Sequence, residues 1–368
     1  MNIFKYKEVI HACRFCFMCR HMATTGNVTF RESDTPRGRA LIADKILMDR
    51  ESLKNPDYVN AFYRADLSAS CRRHCVSSYD EASLTRAVRE DIIESGLEPE
   101  NVKKIAEIIR KCGNPFGETS DGIDVSGLPE KAGLLYYIDS YTLYKQPEIA
   151  GAFIKIMIKA GVAFTVLKEK ITSGKSLYML GYKKEAAEAA RETARLVKKA
   201  GCQTLVCSCP ATFDAFKNDY SALGVPLEKI KILHSSEYML TLIKDGLISP
   251  QVDDAGKKTV YYMDSDYLKN YNNITEGPRE LLREAGCDVK ELGSNQEESY
   301  ALGEGAVVFD VLNPAVLEKL RMRVRAKAED IGEAGLAVAS PYTKYAFGHN
   351  ETKKINIKSV EEIIMERL

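Results

Sequence analysis

Residues 134–143 read LLYYIDSYTL, and residues 259–268 read TVYYMDSDYL. The second stretch lies 125 positions after the first, so that Tyr136 falls on Tyr261, Tyr137 on Tyr262, Asp139 on Asp264, Ser140 on Ser265 and Leu143 on Leu268. The same slide places Ile149 on Ile274, Ala160 on Ala285, Gly161 on Gly286 and Leu167 on Leu292. A shift of 131 then places Gly201, Leu205, Pro210, Thr212, Ala215 and Phe216 on Gly332, Leu336, Pro341, Thr343, Ala346 and Phe347. A difference of that size fits into loops, so this part of the chain reads as an internal duplication.

Within the first copy, short apolar runs at 134–138, 163–167 and 204–207 alternate with amphipathic helical segments, the pattern of βαβ units around a parallel sheet. Residues 183–199 form an alanine-rich, charge-laced helix that Gly201 can close. The most apolar stretch, 149–167, is interrupted by Lys155 and Lys159 and reads as a buried-face helix running into a strand, not as a membrane span. Upstream the pattern is helical, with segments at 39–50 and 100–112 and Pro99 placed to start the second. A turn-rich stretch from Asn114 to Pro129 marks a boundary. The expected architecture is α/β: a helical, ferredoxin-like N-terminal domain over 1–125, then two duplicated α/β lobes over 126–250 and 251–368.

Composition narrows the function. The 368 residues are 45% hydrophobic and 28% charged, within the range of ordinary globular proteins and long enough for several cores. Lysine plus arginine total 52, as do aspartate plus glutamate, so no net field favours nucleic acid. The first nine residues mix Lys5, Lys7 and Glu8 into their apolar positions and make no signal-peptide core. The expectation is a cytoplasmic chain without a transmembrane segment, which leaves peripheral membrane association open. Ten cysteines in such a chain point to metal or redox chemistry before disulfides.

Five of the ten lie between Cys13 and Cys75. Cys13, Cys16 and Cys19 form C-x-x-C-x-x-C, the run that bacterial ferredoxins follow with three residues and a fourth cysteine, which ligates the other of two clusters. Here Ala23 holds that fourth position. Cys71 and Cys75 have the spacing of the third and fourth cysteines of a second run, whose first two positions fall on Ala65 and Ser68. Exchange of fourth ligands then gives one complete set, Cys13, Cys16, Cys19 and Cys75, beside one emptied set of Ala65, Ser68, Cys71 and Ala23. The complete set suits one four-iron, four-sulfur (4Fe-4S) cluster. Four thiolates also suit tetrahedral zinc, but the ferredoxin spacing favours iron. Cys71 reads as a vestige before it reads as a spare or alternative ligand. His11, His21 and His74 flank the thiols and read as cover; Arg37 and Arg39 suit either hydrogen bonding near a cluster or helix packing.

These residues, with the run Thr35-Pro36-Arg37-Gly38-Arg39 and residues 113–117, resemble a family of iron-sulfur subunits. It is typified by the D component of heterodisulfide reductase, the glycolate oxidase iron-sulfur subunit and the C component of anaerobic glycerol-3-phosphate dehydrogenase. The two lobes look like that family's paired cysteine-rich CCG domains, in degenerate form. Where the family carries C-C-G and C-P-x-C, lobe one has Thr172-Ser173-Gly174 and Cys209-Pro210-Ala211-Thr212. Lobe two has Ala301-Leu302-Gly303 and Ser340-Pro341-Tyr342-Thr343, with Asp266 at an earlier cysteine position that falls on Ser140 or Tyr141 in lobe one. Hydroxyls do not replace thiolates on iron, so the lobes are expected to hold no cluster. Cys207 and Cys209 read as leftover buried thiols, and His234, which matches a family histidine, as a satisfied core histidine.

The resemblance implies an electron-transfer subunit of an anaerobic-type complex, with FAD on a partner dehydrogenase subunit. No G-x-G-x-x-G dinucleotide fingerprint follows a strand here, in keeping with a flavin held elsewhere. Two other readings stand beside it. One is a structural or assembly subunit with a non-redox cluster; the other is a heterodisulfide-reductase-like enzyme using an altered pocket around Ser140, Thr172, Ser173 and Cys209. No catalytic residue is assigned.

Overall fold

The computed structural model describes residues 1–13, 16–119, 123, 125–169, 171–251, 258–293, 300–331, 334–348 and 355–368. Among these, every regular element before Leu134 is helical. The helix expected at 39–50 spans Pro36–Met48 instead. Its start is set by Thr35, whose hydroxyl accepts the Gly38 N–H at 3.0 Å, and by Pro36 in the first turn. Asn55 and Pro56 repeat the device for Pro56–Tyr63, and Asp80 caps Glu81–Glu94 through the Ser83 N–H. Glu100–Cys112 follows Pro99 and stops at Gly113, which takes the left-handed conformation a helix end favours.

Two four-stranded parallel sheets follow. β1 (Leu134–Tyr137), β2 (Phe164–Val166), β3 (Thr204–Cys207) and β4 (Lys231–His234) lie in the order β2-β1-β3-β4. β5 (Lys258–Met263), β6 (Cys287–Glu291), β7 (Gly335–Val338) and β8 (Ile357–Ser359) repeat it as β6-β5-β7-β8. Helices such as Pro147–Lys159, Lys183–Lys199 and Glu276–Glu284 make the crossovers. The fold is α/β with duplicated lobes, and the three strands expected in lobe one occur within a residue of their expected ends.

The pairing of the repeats needs one correction. Leu134 lies level with Phe164 and Thr204, and Val260 lies level with Val289 and Gly335. With Leu167 kept on Leu292 and Leu205 on Leu336, both neighbours put β1 one residue further along β5. Tyr136 therefore corresponds to Tyr262, Asp139 to Ser265 and Ser140 to Asp266. Burial agrees, because Tyr136 and Tyr262 are buried whereas Tyr261 is not. Capping agrees too: the Asp139 carboxylate accepts the N–H of Thr142, and the Ser265 hydroxyl accepts the N–H of Leu268, each three residues on. A gapless slide matches letters, but strand side chains alternate faces, so a one-residue slip exchanges inside for outside. Gly332, the proposed match of Gly201, lies outside the described residues.

Two cores hold the assembly. One packs Phe153, Ile156 and Leu205 of lobe one with Tyr262, Leu282 and Ile364 of lobe two. The other joins Phe62, Leu84 and Val88 of the N-terminal helices to Tyr141 and Leu180 of lobe one and to Val308 and Phe309 of lobe two. Arg89 sits inside this second core and donates to the Phe62, Ala65 and Met179 carbonyls at 2.7–3.1 Å. It thereby satisfies orphan carbonyls at two helix ends from different parts of the chain. Gly181 (φ +100°) makes the approach feasible, since a Cβ there would lie 2.7 Å from the Arg89 carbonyl oxygen.

Candidate metal centre

The helix Lys7–Ala12 ends at Cys13, and the chain then carries Cys16 at the surface and Cys19 half-buried. Cys75 lies in a second loop, its N–H donating to the Cys71 carbonyl at 3.1 Å. Three contacts bring the two loops together. The Ser77 hydroxyl donates to the Ala12 carbonyl at 2.8 Å, the Cys71 thiol to the Cys19 carbonyl at 3.3 Å, and the His21 and His74 rings meet edge to face at 5.3 Å. Cys13 and Cys75 both pack on the rim of the N-terminal core.

Burial raises the Cys19 thiol above its ordinary value, opposed by a hydrogen bond from the Arg37 backbone N–H; the nearby Cys13, Glu81 and Cys16 charges raise it further. That N–H belongs to the first turn of Pro36–Met48, where the helix dipole favours negative charge. Among the described residues, no three histidine, cysteine, aspartate or glutamate side chains are gathered closely enough to hold a metal ion. The loops are apposed, then, without the four thiols converging on one point. Their donor chemistry fits a soft thiophilic centre. Residues 9–31 and 67–79 contain no carboxylate that would suit a hard cation, and a backbone N–H already serves a sulfur.

Beside these loops, the positions of the emptied set are packed. Cys71 is buried against Met22, Ala23 and Cys19, and burial holds its thiol well above the ordinary range. Around it Thr24 hydrogen-bonds to Asp66, Ser70 to Ser68 at 2.9 Å, and Arg39 pairs with Glu81 through Nε at 2.6 Å and Nη2 at 2.5 Å. Arg39 therefore serves packing and ion pairing. Lobe two closes the far side: Asn270 Nδ2 donates to the Ser68 carbonyl at 2.8 Å and the Tyr271 hydroxyl to the Leu67 carbonyl at 2.6 Å. Leu67 and Ala69 take left-handed conformations, φ 52° and 56°, and a Cβ on Gly305 would lie 2.0 Å from the Leu67 oxygen.

The degenerate positions of lobe one are filled mainly by polar groups, and those of lobe two by Asp266 and Ser340 together with the apolar Ala301 and Leu302. Asp139, Ser140, Thr172, Ser173, Cys209 and Thr212 surround a cavity of about 20 Å³, room for about one water. The Cys209 thiol donates to the Asp139 carboxylate, and burial together with that carboxylate pushes the thiol well above its ordinary range. Cys207 is buried and raised likewise. Next to this cavity Lys175 bridges Asp214 at 2.6 Å and Asp219 at 2.5 Å. In lobe two, Glu304 accepts from the Ser265 hydroxyl at 3.0 Å and the Asp266 N–H at 2.6 Å, and Ser340 joins the same network. Neither lobe offers a reactive thiolate at these positions.

No protein-family model matches the chain. The chain is similar to iron-sulfur oxidoreductase subunits. A probable iron-sulfur-binding oxidoreductase, FadF of Bacillus subtilis (strain 168), is 30% identical over 176 residues, covering 46% of this chain and 24% of FadF. The D component of the dihydromethanophenazine:CoB--CoM heterodisulfide reductase of Methanosarcina acetivorans is 25% identical over 286 residues, 74% of this chain and 69% of that component. The EtfAB:quinone oxidoreductase of Syntrophomonas wolfei is 24% identical over 267 residues, 68% of this chain and 37% of that protein. The chain thus spans about a quarter of FadF and a little over a third of the quinone oxidoreductase. Among the described residues no helix is long and apolar enough to cross a membrane.

His234 is fully buried at the N-cap of the helix Ser235–Lys244. Its Nδ1 accepts the Ser236 N–H at 3.2 Å, which leaves the proton on Nε2, 3.1 Å from the Ser208 carbonyl. Burial pushes the imidazole down from 6.5 to about 4. It is a satisfied core residue, as expected from the sequence. Because the unfolded chain binds the proton more tightly, this histidine's contribution is intact above pH 6.5 and is lost as pH falls toward 4, on the order of 3 kcal/mol. His234→Asn, which keeps a capping side chain, is expected to flatten that part of the acid limb. Equal loss of stability between pH 7 and 4.5 in both proteins, read from urea midpoints, would remove the assignment.

Sequence reasoning missed the partners that fill the emptied set, chiefly Glu81 and Asp66. The available signal was weak: Glu81 stands at a helix start, where an acid is normally read as an exposed charge, and Asp66 lies in the loop after Pro56–Tyr63. His11, placed as cover, stands 3.4 Å from Asp44.

Proposed function

We propose that this chain is the iron-sulfur electron-transfer subunit of a flavin-dependent oxidoreductase complex. One 4Fe-4S cluster is held by Cys13, Cys16, Cys19 and Cys75, within a domain over 1–125 that two degenerate CCG-like lobes, 126–250 and 251–368, support. When bound, the cluster supplies one-electron redox chemistry. This chain's residues would provide four thiolates, a sulfur-directed N–H from Arg37, and lobes that exclude competing thiol chemistry. The observation that carries the reading is the apposition of the Cys13–Cys19 run to the Cys75 loop, next to a second set of positions packed with other groups. The relatives named as oxidoreductases of a heterodisulfide and of EtfAB with quinone support a place in a multi-protein redox chain. FAD belongs, on this reading, to a separate dehydrogenase subunit, and ten cysteines outside any disulfide suit the reducing cytoplasm.

Anaerobic purification with metal and sulfide analysis tests it. About four irons and as many sulfides per chain are expected, with a paramagnetic signal that appears on reduction and disappears on reoxidation. Zinc without sulfide would overturn the cluster assignment. A cluster that dithionite and mild oxidants leave unchanged would overturn electron transfer and favour the structural subunit.

A further inference from the structure

The cysteine loops carry a surface unlike the rest of the molecule. Acidic and basic residues balance over the whole chain, yet among the described side chains residues 9–31 carry Arg20 and Arg31, residues 67–79 carry Arg72, and neither stretch contains an acid. Arg20 and Arg72 keep 56% and 48% of their side chains exposed. Each touches an acid from just outside its loop, Glu32 at 3.5 Å and Asp80 at 3.2 Å, without being covered.

Between these cations stand large apolar side chains facing solvent. Phe17 is 65% exposed, Met18 46% and Val76 77%, and all three adjoin cluster-site cysteines in sequence. Phe30 is 85% exposed in a left-handed conformation, φ 58°, a backbone cost that no burial of its ring offsets. Among the described residues, seven of the eleven large exposed apolar side chains fall in the first 76 positions of the sequence. Contacts bring Phe17 and the Val76 loop to one face. The Arg37 guanidinium lies 4.3 Å over the Phe17 ring and pairs at 2.6 Å with Glu32, which also meets Arg20. The bonds from Cys71 to Cys19 and from Ser77 to Ala12 hold the Arg72 and Val76 loop alongside.

We propose that this face is the docking surface for an acidic one-electron redox protein, which seats an apolar centre on Phe17, Met18 and Val76 and sets its carboxylates against Arg20 and Arg72. The partner's sign follows from the surface itself; its redox character rests on the cluster reading above. An apolar centre within a charged rim is the anatomy of a specific protein contact, and opposite charges speed encounter and fix orientation.

Binding of the full chain to flavodoxin, an acidic flavin protein, tests this at 20 and 200 mM salt. Affinity is expected to fall about tenfold or more with salt as exposed charges are screened. Arg20→Glu/Arg72→Glu is expected to weaken low-salt binding at least tenfold. Phe17→Ser/Val76→Ser should weaken it while keeping the salt dependence. Ile158→Ser, an exposed apolar residue of the helix Pro147–Lys159, should change nothing. Absence of binding by the parent, salt-independent binding, or full binding by the charge-reversed variant overturns the proposal. So does preferential capture by anionic phosphatidylglycerol vesicles that the same variants abolish, which would make the face a lipid surface. Iron is measured on every sample: an iron-free parent that binds flavodoxin retires the cluster reading, and an iron-loaded parent that does not bind retires the docking surface.

Discussion

Cys75→Ala is expected to lose most of its iron, whereas Cys71→Ala keeps nearly all of it. The two cysteines are four residues apart and joined by a backbone hydrogen bond, so mere proximity to the other thiols does not separate them. Their surroundings do. Cys71 is buried among Met22, Ala23 and Cys19, donates its proton to the Cys19 carbonyl, and faces Glu81 and Asp66, which oppose a thiolate there. Cys75 is half-buried in the loop that Ser77 fastens to Ala12, immediately before Cys13. A metal-bound cysteine must give up its proton, and the cost of doing so is highest in an apolar site beside carboxylates. Iron and acid-labile sulfide per chain decide the matter. Equal loss in both variants, or a full complement in Cys75→Ala, would dismiss Cys75 as the fourth ligand.

Glu81→Leu is expected to destabilise the chain by about 3–5 kcal/mol, the range for leaving one partner of a buried ion pair uncompensated. Arg39 has almost no exposure and lies within 2.5–2.6 Å of Glu81 through two nitrogens. Removing the carboxylate strands the guanidinium where water cannot reach it. Adding Arg39→Met to Glu81→Leu replaces the pair with apolar side chains, and most of the loss should return. The shift in urea midpoint for each single variant and the pair forms a double-mutant cycle. A Glu81→Leu protein within about 1 kcal/mol of the parent would mean that the pair is hydrated in solution.

The parts of this structure that were legible in sequence are those specified locally. Strands at 134–138, 163–167 and 204–207 and the helix at 183–199 announce themselves through period and through a closing glycine, and they occur nearly as expected. The start of Pro36–Met48 was missed although Thr35 and Pro36 are a known capping pair, because the apolar pattern begins only at Ala40. The repeat was legible, but its register was not. Tyr136 resembles both Tyr261 and Tyr262, and only the strand neighbours and the caps at Asp139 and Ser265 separate them. The filling of the emptied set was least legible, since Arg39 meets Glu81, and Thr24 meets Asp66, across 42 positions of chain. Spacing led to the expectation that the two cysteine loops meet, because the exchange of fourth ligands in ferredoxins is itself a long-range rule; the loops touch, while among the described residues the thiols do not gather at one point.

The close seat of Gly305 against the Leu67 carbonyl bears on whether the chain could be rewired. Writing cysteine at Ala23, Ala65 and Ser68 would supply a ligand count but not a chamber. The peptide at 66–67 has a glycine of lobe two pressed against it, and Asn270 and Tyr271 hold its neighbours in place. An inorganic centre at these positions would first require that lobe to retreat.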